Sequence, residues 1–111
     1  MDLDTEILVN MRYLGIDYGK KHIGVAVSDE EGKIAFPKIT LDNKFGAYIL
    51  KEIRSIIKKE GISYVVLGLP VGLNGKDTEE TKVVRDFAQV FKKKIAIPLI
   101  FENEMFTTRM A

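Results

Sequence analysis

The sequence contains no cysteine. That excludes a disulfide framework, a thiol nucleophile and any cysteine-based zinc site, and it is compatible with a reducing cytoplasm. Histidine occurs once, at His22, so a two-histidine zinc helix and a histidine-rich metal centre are excluded too. Any bound metal must be held by oxygen ligands, which favours Mg2+ or Mn2+. No apolar run reaches the roughly 18 residues needed to span a bilayer. The longest, Tyr64 to Leu73, is interrupted by Gly68, Pro70 and Gly72. The first residues lack the basic start and small-residue cleavage site of a signal peptide. A large excess of one charge is also missing. The net charge is +1, so any nucleic-acid binding needs a local basic patch rather than a global field. Internal repeats, low-complexity tracts and linkers are absent.

What is present fits one domain around one core. The chain has 111 residues, of which 46% are apolar and 30% charged, a balance that suits a globular protein rather than a disordered one. Residues 1–10 read as an N-terminal arm or a small extra strand, and Met11 is a possible natural start because the organised pattern begins there. From Met11 to Asp29, two strand-like runs flank a short polar turn. Arg12 to Ile16 delivers Asp17 at a strand end. Tyr18-Gly19-Lys20-Lys21-His22 turns the chain, and Ile23 to Ser28 comes back. Gly19 permits a close approach to the backbone. A carboxylate at a strand end beside a basic turn suits a hard metal ion facing phosphate, although Asp is also common in ordinary turns.

The second run alternates Ile23, Val25 and Val27 with Gly24, Ala26 and Ser28, so one face fills a core and the other admits a close neighbour. Lys33 to Thr40 reads as a third strand, with Pro37 marking an edge. Ile49, Leu50, Ile53, Ile56 and Ile57 then fall on one face of a helix that Gly61 ends. Tyr64 to Leu69 is continuously apolar, as in a strand buried on both faces. After a loop through Asn74-Gly75, which reads as a site-mouth loop or a type I′ turn, Asp77 and Glu80 form a capping box. Val83, Val84, Phe87, Val90 and Phe91 repeat the helical spacing. Lys58-Lys59 and Lys92-Lys93-Lys94 sit in last turns, where they complement the helix dipoles. Ile95 to Phe101 reads as a final strand with Glu102-Asn103-Glu104 at its end. Thr107-Thr108-Arg109-Met110-Ala111 looks like the first turn of a helix, so the chain reads as a fragment or as one whose C-terminal helix is lost.

This order predicts an α/β fold: three antiparallel strands, then parallel strands joined by helical crossovers in a five-stranded mixed sheet. Ligands in such sheets sit beyond the carboxyl ends of the parallel strands. Asp17, the Gly68 loop and Glu104 share that edge. With the fourth strand between the first and fifth, the two acids stand roughly 9–10 Å apart at the backbone. From there they can reach toward one or two metal ions, the arrangement for metal-assisted phosphodiester hydrolysis. Lys20, Lys21 and His22 are candidate phosphate contacts or a solvated turn.

Gly15-Ile-Asp-Tyr-Gly19 with Ile23-Gly-Val-Ala-Val-Ser-Asp29, Val66-Leu-Gly-Leu-Pro70 with Asn74-Gly75, Val84-Arg-Asp-Phe-Ala88, and Asn103-Glu-Met-Phe-Thr-Thr108 together resemble the YqgF family of RuvC-like, RNase H-fold nucleases. The resemblance covers nearly everything from residue 11 on. It implies an RNase H-like sheet in a cytoplasmic bacterial nuclease of pre-16S ribosomal RNA, with Holliday-junction resolution as the older proposal. It carries the family's two acids onto Asp17 and Glu104 as catalytic metal ligands for Mg2+ or Mn2+. Substrate contacts then fall to Gly19, Lys20, Lys21, His22, Asn74, Thr107 and Thr108. Three departures stand out. His22 replaces a usual Arg, Asn103-Glu104-Met105 replaces Asp-Glu-Arg, and the family's third catalytic Asp lies on a helix beyond Ala111. These departures support an alternative: a non-catalytic module of the same fold that binds RNA or a protein. An actin-like kinase also starts with Asp-x-Gly but needs two such lobes. The partner expected is structured RNA or branched DNA, not a membrane. The protein itself is expected to be a monomer or a homodimer, since cutting a junction symmetrically favours two copies.

Overall fold

The structure, a computed structural model, describes residues 11–105 and the side chains of residues 11–103. The expected N-terminal arm and the helical turn at Thr107-Thr108 lie outside the described residues. In chain order the elements are β1 (Tyr13–Tyr18), β2 (His22–Ser28), β3 (Ala35–Asp42), α1 (Gly46–Glu60), β4 (Tyr64–Val71), α2 (Glu79–Lys94) and β5 (Leu99–Met105). The five strands form one sheet in the order β3-β2-β1-β4-β5. The β1–β2 and β2–β3 pairs are antiparallel, and the β1–β4 and β4–β5 pairs are parallel. This is the predicted α/β architecture. β3 is an edge strand, as Pro37 predicts, and the β2–β3 register shifts at Val25/Ala26 beside it.

The core lies on one side of the sheet. Strand alternation turns Leu14 and Ile16, Ile23 and Val25, and Val65, Leu67 and Leu69 to the same face, where all are buried. Ile49 and Ile53 of α1 and Val84, Ala88 and Phe91 of α2 complete a single cluster with them. Each fully buried aliphatic or aromatic side chain contributes about 1.5–3 kcal/mol by leaving water. α1 ends as expected at Gly61, which adopts a left-handed φ of 65° and donates its N–H to Ile57 O.

Three local expectations are corrected. β4 is buried on one face only, since Tyr64, Val66, Gly68 and Pro70 are all half-exposed. Among the described residues, no helix covers that second face. The run reads as continuous because the half-exposed face carries Tyr64, Val66, Gly68 and Pro70, none of them charged. α2 is capped by Thr78 and Thr81 rather than by Asp77 and Glu80. Asp77 instead accepts from Nε and Nη2 of Arg85, at 3.0 and 3.2 Å. β5 begins at Leu99, because Ile95 is spent as the C-cap of α2, donating to Phe91 O at 2.8 Å. The shift carries Glu102 and Glu104 from beyond the last strand into it.

Pro70 in a central strand needs a reason, because it cannot donate to a ladder. Val65 donates toward the β5 side, to Pro98 O at 2.9 Å. The two-residue period therefore turns the nitrogen of Pro70 toward the β1 side, past the final β1–β4 pair, Ile16–Leu67. Its carbonyl accepts from the fully buried hydroxyl of Thr81. Thr81 Oγ1 also accepts from Thr78 N at 2.9 Å. One hydroxyl thus pins the start of α2 to the end of β4. Thr81→Val keeps the shape but leaves the Pro70 carbonyl and the Thr78 N–H, both part-buried, without this partner. It is expected to cost about 1–3 kcal/mol, read as a lower urea midpoint at unchanged m-value. At the opposite end of the sheet, Lys38 contacts Glu60 at 2.9 Å and holds its carboxyl below the usual range, with Arg12 and Lys59 adding to the effect.

Candidate active site

Asp17 is the penultimate residue of β1 and pairs with Gly24 of β2. On its other side, one step on from the Ile16–Leu67 pair, it comes level with Gly68, which in turn pairs with Glu102. Asp17, Gly68 and Glu102 thus form a row across β1, β4 and β5, with β4 between the acid-bearing strands as predicted. All three line one open cavity of about 340 Å³ on the sheet face away from the helices. Its floor is bare because Gly15, Gly24 and Ala26 supply so little side chain. Asp17 and Glu102 are exposed. Among the described residues, no salt bridge occupies either carboxylate. Glu104 is placed only by its backbone register, opposite Pro70, and its side chain lies outside the described part of the structure.

The turn beside Asp17 is held by its own backbone. Gly19 N donates to His22 O at 3.0 Å. A Cβ on Gly19 would stand 2.6 Å from that same oxygen. The close approach that Gly19 permits is therefore that of the returning strand. Asn43, just after β3, braces the tip by donating Nδ2 to Gly19 O and its backbone N–H to Lys21 O, both at 2.8 Å. Tyr18, one residue past Asp17, stacks on Phe87 of α2 with ring centroids 4.4 Å apart. Gly19→Ala is expected to cost about 1–3 kcal/mol through this backbone clash, measured as a fall in the urea midpoint.

The remaining candidates divide. Gly19 and Lys20 line a separate hollow of about 460 Å³ with Asn43 and Thr78, at the start of α2. Lys21 is exposed at the tip. His22 faces Asp42 across the strands, with Nδ1 to Oδ1 at 3.4 Å. Asn74 Oδ1 accepts from Lys76 N at 3.0 Å, which commits that oxygen to the loop itself. The turn there is not type I′: Gly75 donates to Gly72 O and alone takes a positive φ, 77°, whereas type I′ needs two such residues. Thr107 and Thr108 lie outside the described residues. Two contributors were not singled out from the sequence. A strand ending at Phe101 makes Glu102 only the neighbour of Glu104, and Asn43 carries no motif signal.

Among the described residues, no group of three or more His, Asp and Glu side chains converges on one point. Magnesium does not require one. It is commonly held by one or two carboxylates plus substrate phosphates, and an oxygen pair flanking a bare floor fits that need.

The family model described as RuvX, Holliday junction resolvase, matches residues 11–111. A relative from Anaplasma marginale (strain St. Maries) is 42% identical over 100 residues, covering 90% of this chain and 64% of its own length. One from Rickettsia akari (strain Hartford) is 34% identical over 105 residues, covering 95% and 68%. Both carry the name "Putative pre-16S rRNA nuclease". The chain thus spans about two thirds of the length of these relatives. The solved structure of Thermus thermophilus RuvC superposes with a TM-score of 0.60 at 15% identity, covering 84% of this chain and 64% of that one, which shows a shared fold. Family match and relatives together place the chain in the RuvX (YqgF) family, the one its motifs resemble.

Proposed function

We propose that this protein is a divalent-metal-dependent endonuclease of structured nucleic acid, acting in the cytoplasm on the 5′ end of pre-16S ribosomal RNA. The observation that carries this reading is the placement of Asp17. It stands exposed at the carboxyl end of a central parallel strand, on the bare face of the sheet, beside a basic hairpin tip. The names of the relatives favour ribosomal RNA as the substrate. The family description favours a four-way DNA junction, and the two differ in substrate rather than in chemistry.

Asp17 and Glu104 would hold the cation, Mg2+ or Mn2+. A bound divalent ion supplies the charge that activates water and stabilises the phosphate in the transition state. The chain's own part is binding and alignment. Gly68 leaves room for a phosphodiester to descend to the sheet, and Lys20 and Lys21 offset the charge of flanking phosphates. Such contacts position the strand without reading its sequence.

The test is cleavage of a structured RNA precursor and of a four-way DNA junction in Mg2+ or Mn2+, by this chain and by its Asp17→Asn variant. Cleavage that needs the metal and disappears in the variant supports the nuclease, and the substrate that is cut names the role. Tight binding of either substrate without cleavage, by this chain and by a longer one, would favour a non-catalytic RNA-binding module. That second reading is favoured by Asn103 and Met105, which replace the family's usual Asp and Arg.

A further inference from the structure

The family motif singles out Glu104, but the sheet register brings a different acid level with Asp17. We infer that Glu102 would hold the same divalent cation as Asp17, the two residues standing level across Gly68. This rests on the proposed function above and adds a residue to it. Gly68 is the only position of β4 that lies between Asp17 and Glu102 in register, and it has no side chain to stand between them. Both acids are exposed and border the same cavity. They are separated by two strand spacings, roughly 9–10 Å at the backbone. An Asp from one side and the longer Glu from the other can close that gap on one ion. Glu104 is two residues further along, roughly 6–7 Å by strand rise. It is level with Pro70, where β1 has no residue left to face it, since β1 ends at Tyr18.

The register also explains why the motif hides this residue. A strand running from Ile95 to Phe101 would leave Glu102 outside the sheet. The observed strand, Leu99–Met105, makes it a ladder residue. Two acids around a cation match the protein share of a magnesium site, with phosphate and water completing the shell.

The experiment is calorimetric titration of Mn2+ into the chain and into the variants Asp17→Asn, Glu102→Gln, Glu104→Gln and Glu31→Gln, with urea unfolding of each to confirm the fold. Glu31 is exposed on the turn after β2 and serves as the charge control. Glu102→Gln is expected to weaken Mn2+ binding by about tenfold or more, as Asp17→Asn does, while Glu31→Gln leaves it unchanged. Loss in Asp17→Asn with wild-type binding in Glu102→Gln would overturn this inference and leave the proposed site standing. So would loss in Glu104→Gln alone among the β5 variants. Wild-type binding in Asp17→Asn would overturn the proposed site itself.

Discussion

Asp17→Asn is expected to lower metal-dependent cleavage by at least about 10²–10³-fold, the loss seen when one electrostatic stabiliser of a transition state is removed. The fold should remain intact. Asp17 is exposed and forms no salt bridge among the described residues, and surface changes of this kind usually stay within about 0.5 kcal/mol. Asn keeps the shape and one oxygen but removes the charge that a hard cation requires. The combination of unchanged urea midpoint and lost cleavage is therefore diagnostic. Cleavage that survives in the variant would show that Asp17 does not hold the cation. A fall in both midpoint and cleavage would instead assign Asp17 to the β1–β2 hairpin. Raising Mn2+ should restore part of the activity if the variant binds the ion weakly.

The largest expected effect on stability lies on the other face. Phe91→Ala should cost about 3–5 kcal/mol, the usual range for emptying a buried aromatic site. That is a large share of the roughly 5–15 kcal/mol that holds a typical domain folded. Phe91 is fully buried. Its ring stands 6.3 Å from that of Phe87, whose ring stacks on Tyr18. Three neighbouring rings thus connect this buried site to the residue next to Asp17. Urea unfolding should show a lower midpoint with little change in m-value. Val83→Ala, on the same helix but 48% exposed, should stay within about 0.5 kcal/mol. Equal losses at the two positions would mean that α2 is not packed through Phe91. The apolar spacing of Val83, Val84, Phe87, Val90 and Phe91 marks the helix but cannot rank these positions. Burial does, leaving Val83 and Val90 half outside the core.

Most of the fold is legible in the sequence because it follows from local periodicity. The alternation of Ile23, Val25 and Val27, the helical stripe from Ile49 to Ile57, the stop at Gly61 and the edge signal of Pro37 each act within a few residues of chain. Right-handed crossovers then leave few ways to order the strands. The capping pair of α2 is ambiguous in the sequence because Asp77-x-x-Glu80 and Thr78-x-x-Thr81 both satisfy the spacing of a capping box. Arg85, a full two turns along the helix, decides between them by drawing off Asp77. The burial of β4 is not legible locally because an unbroken apolar run cannot say how many of its faces are covered. That depends on what packs against Tyr64, Val66 and Gly68 from elsewhere in the chain.

The sequence by itself determined the α/β class, the absence of any cysteine ligand, and Asp17 as an acid at the end of a central strand. These depend on composition and on short-range pattern. Only the tertiary structure decided that Glu102 stands level with Asp17 across Gly68. It likewise showed that Gly19 is required by the carbonyl of His22, that Asn43 braces the hairpin, and that Asn74 serves its own loop. The physical reason is that strand register is a relation between segments far apart in the chain. It is set by where α2 ends and where Pro98 begins to pair with β4, and a shift of one residue would turn every side chain of β5 to the opposite face.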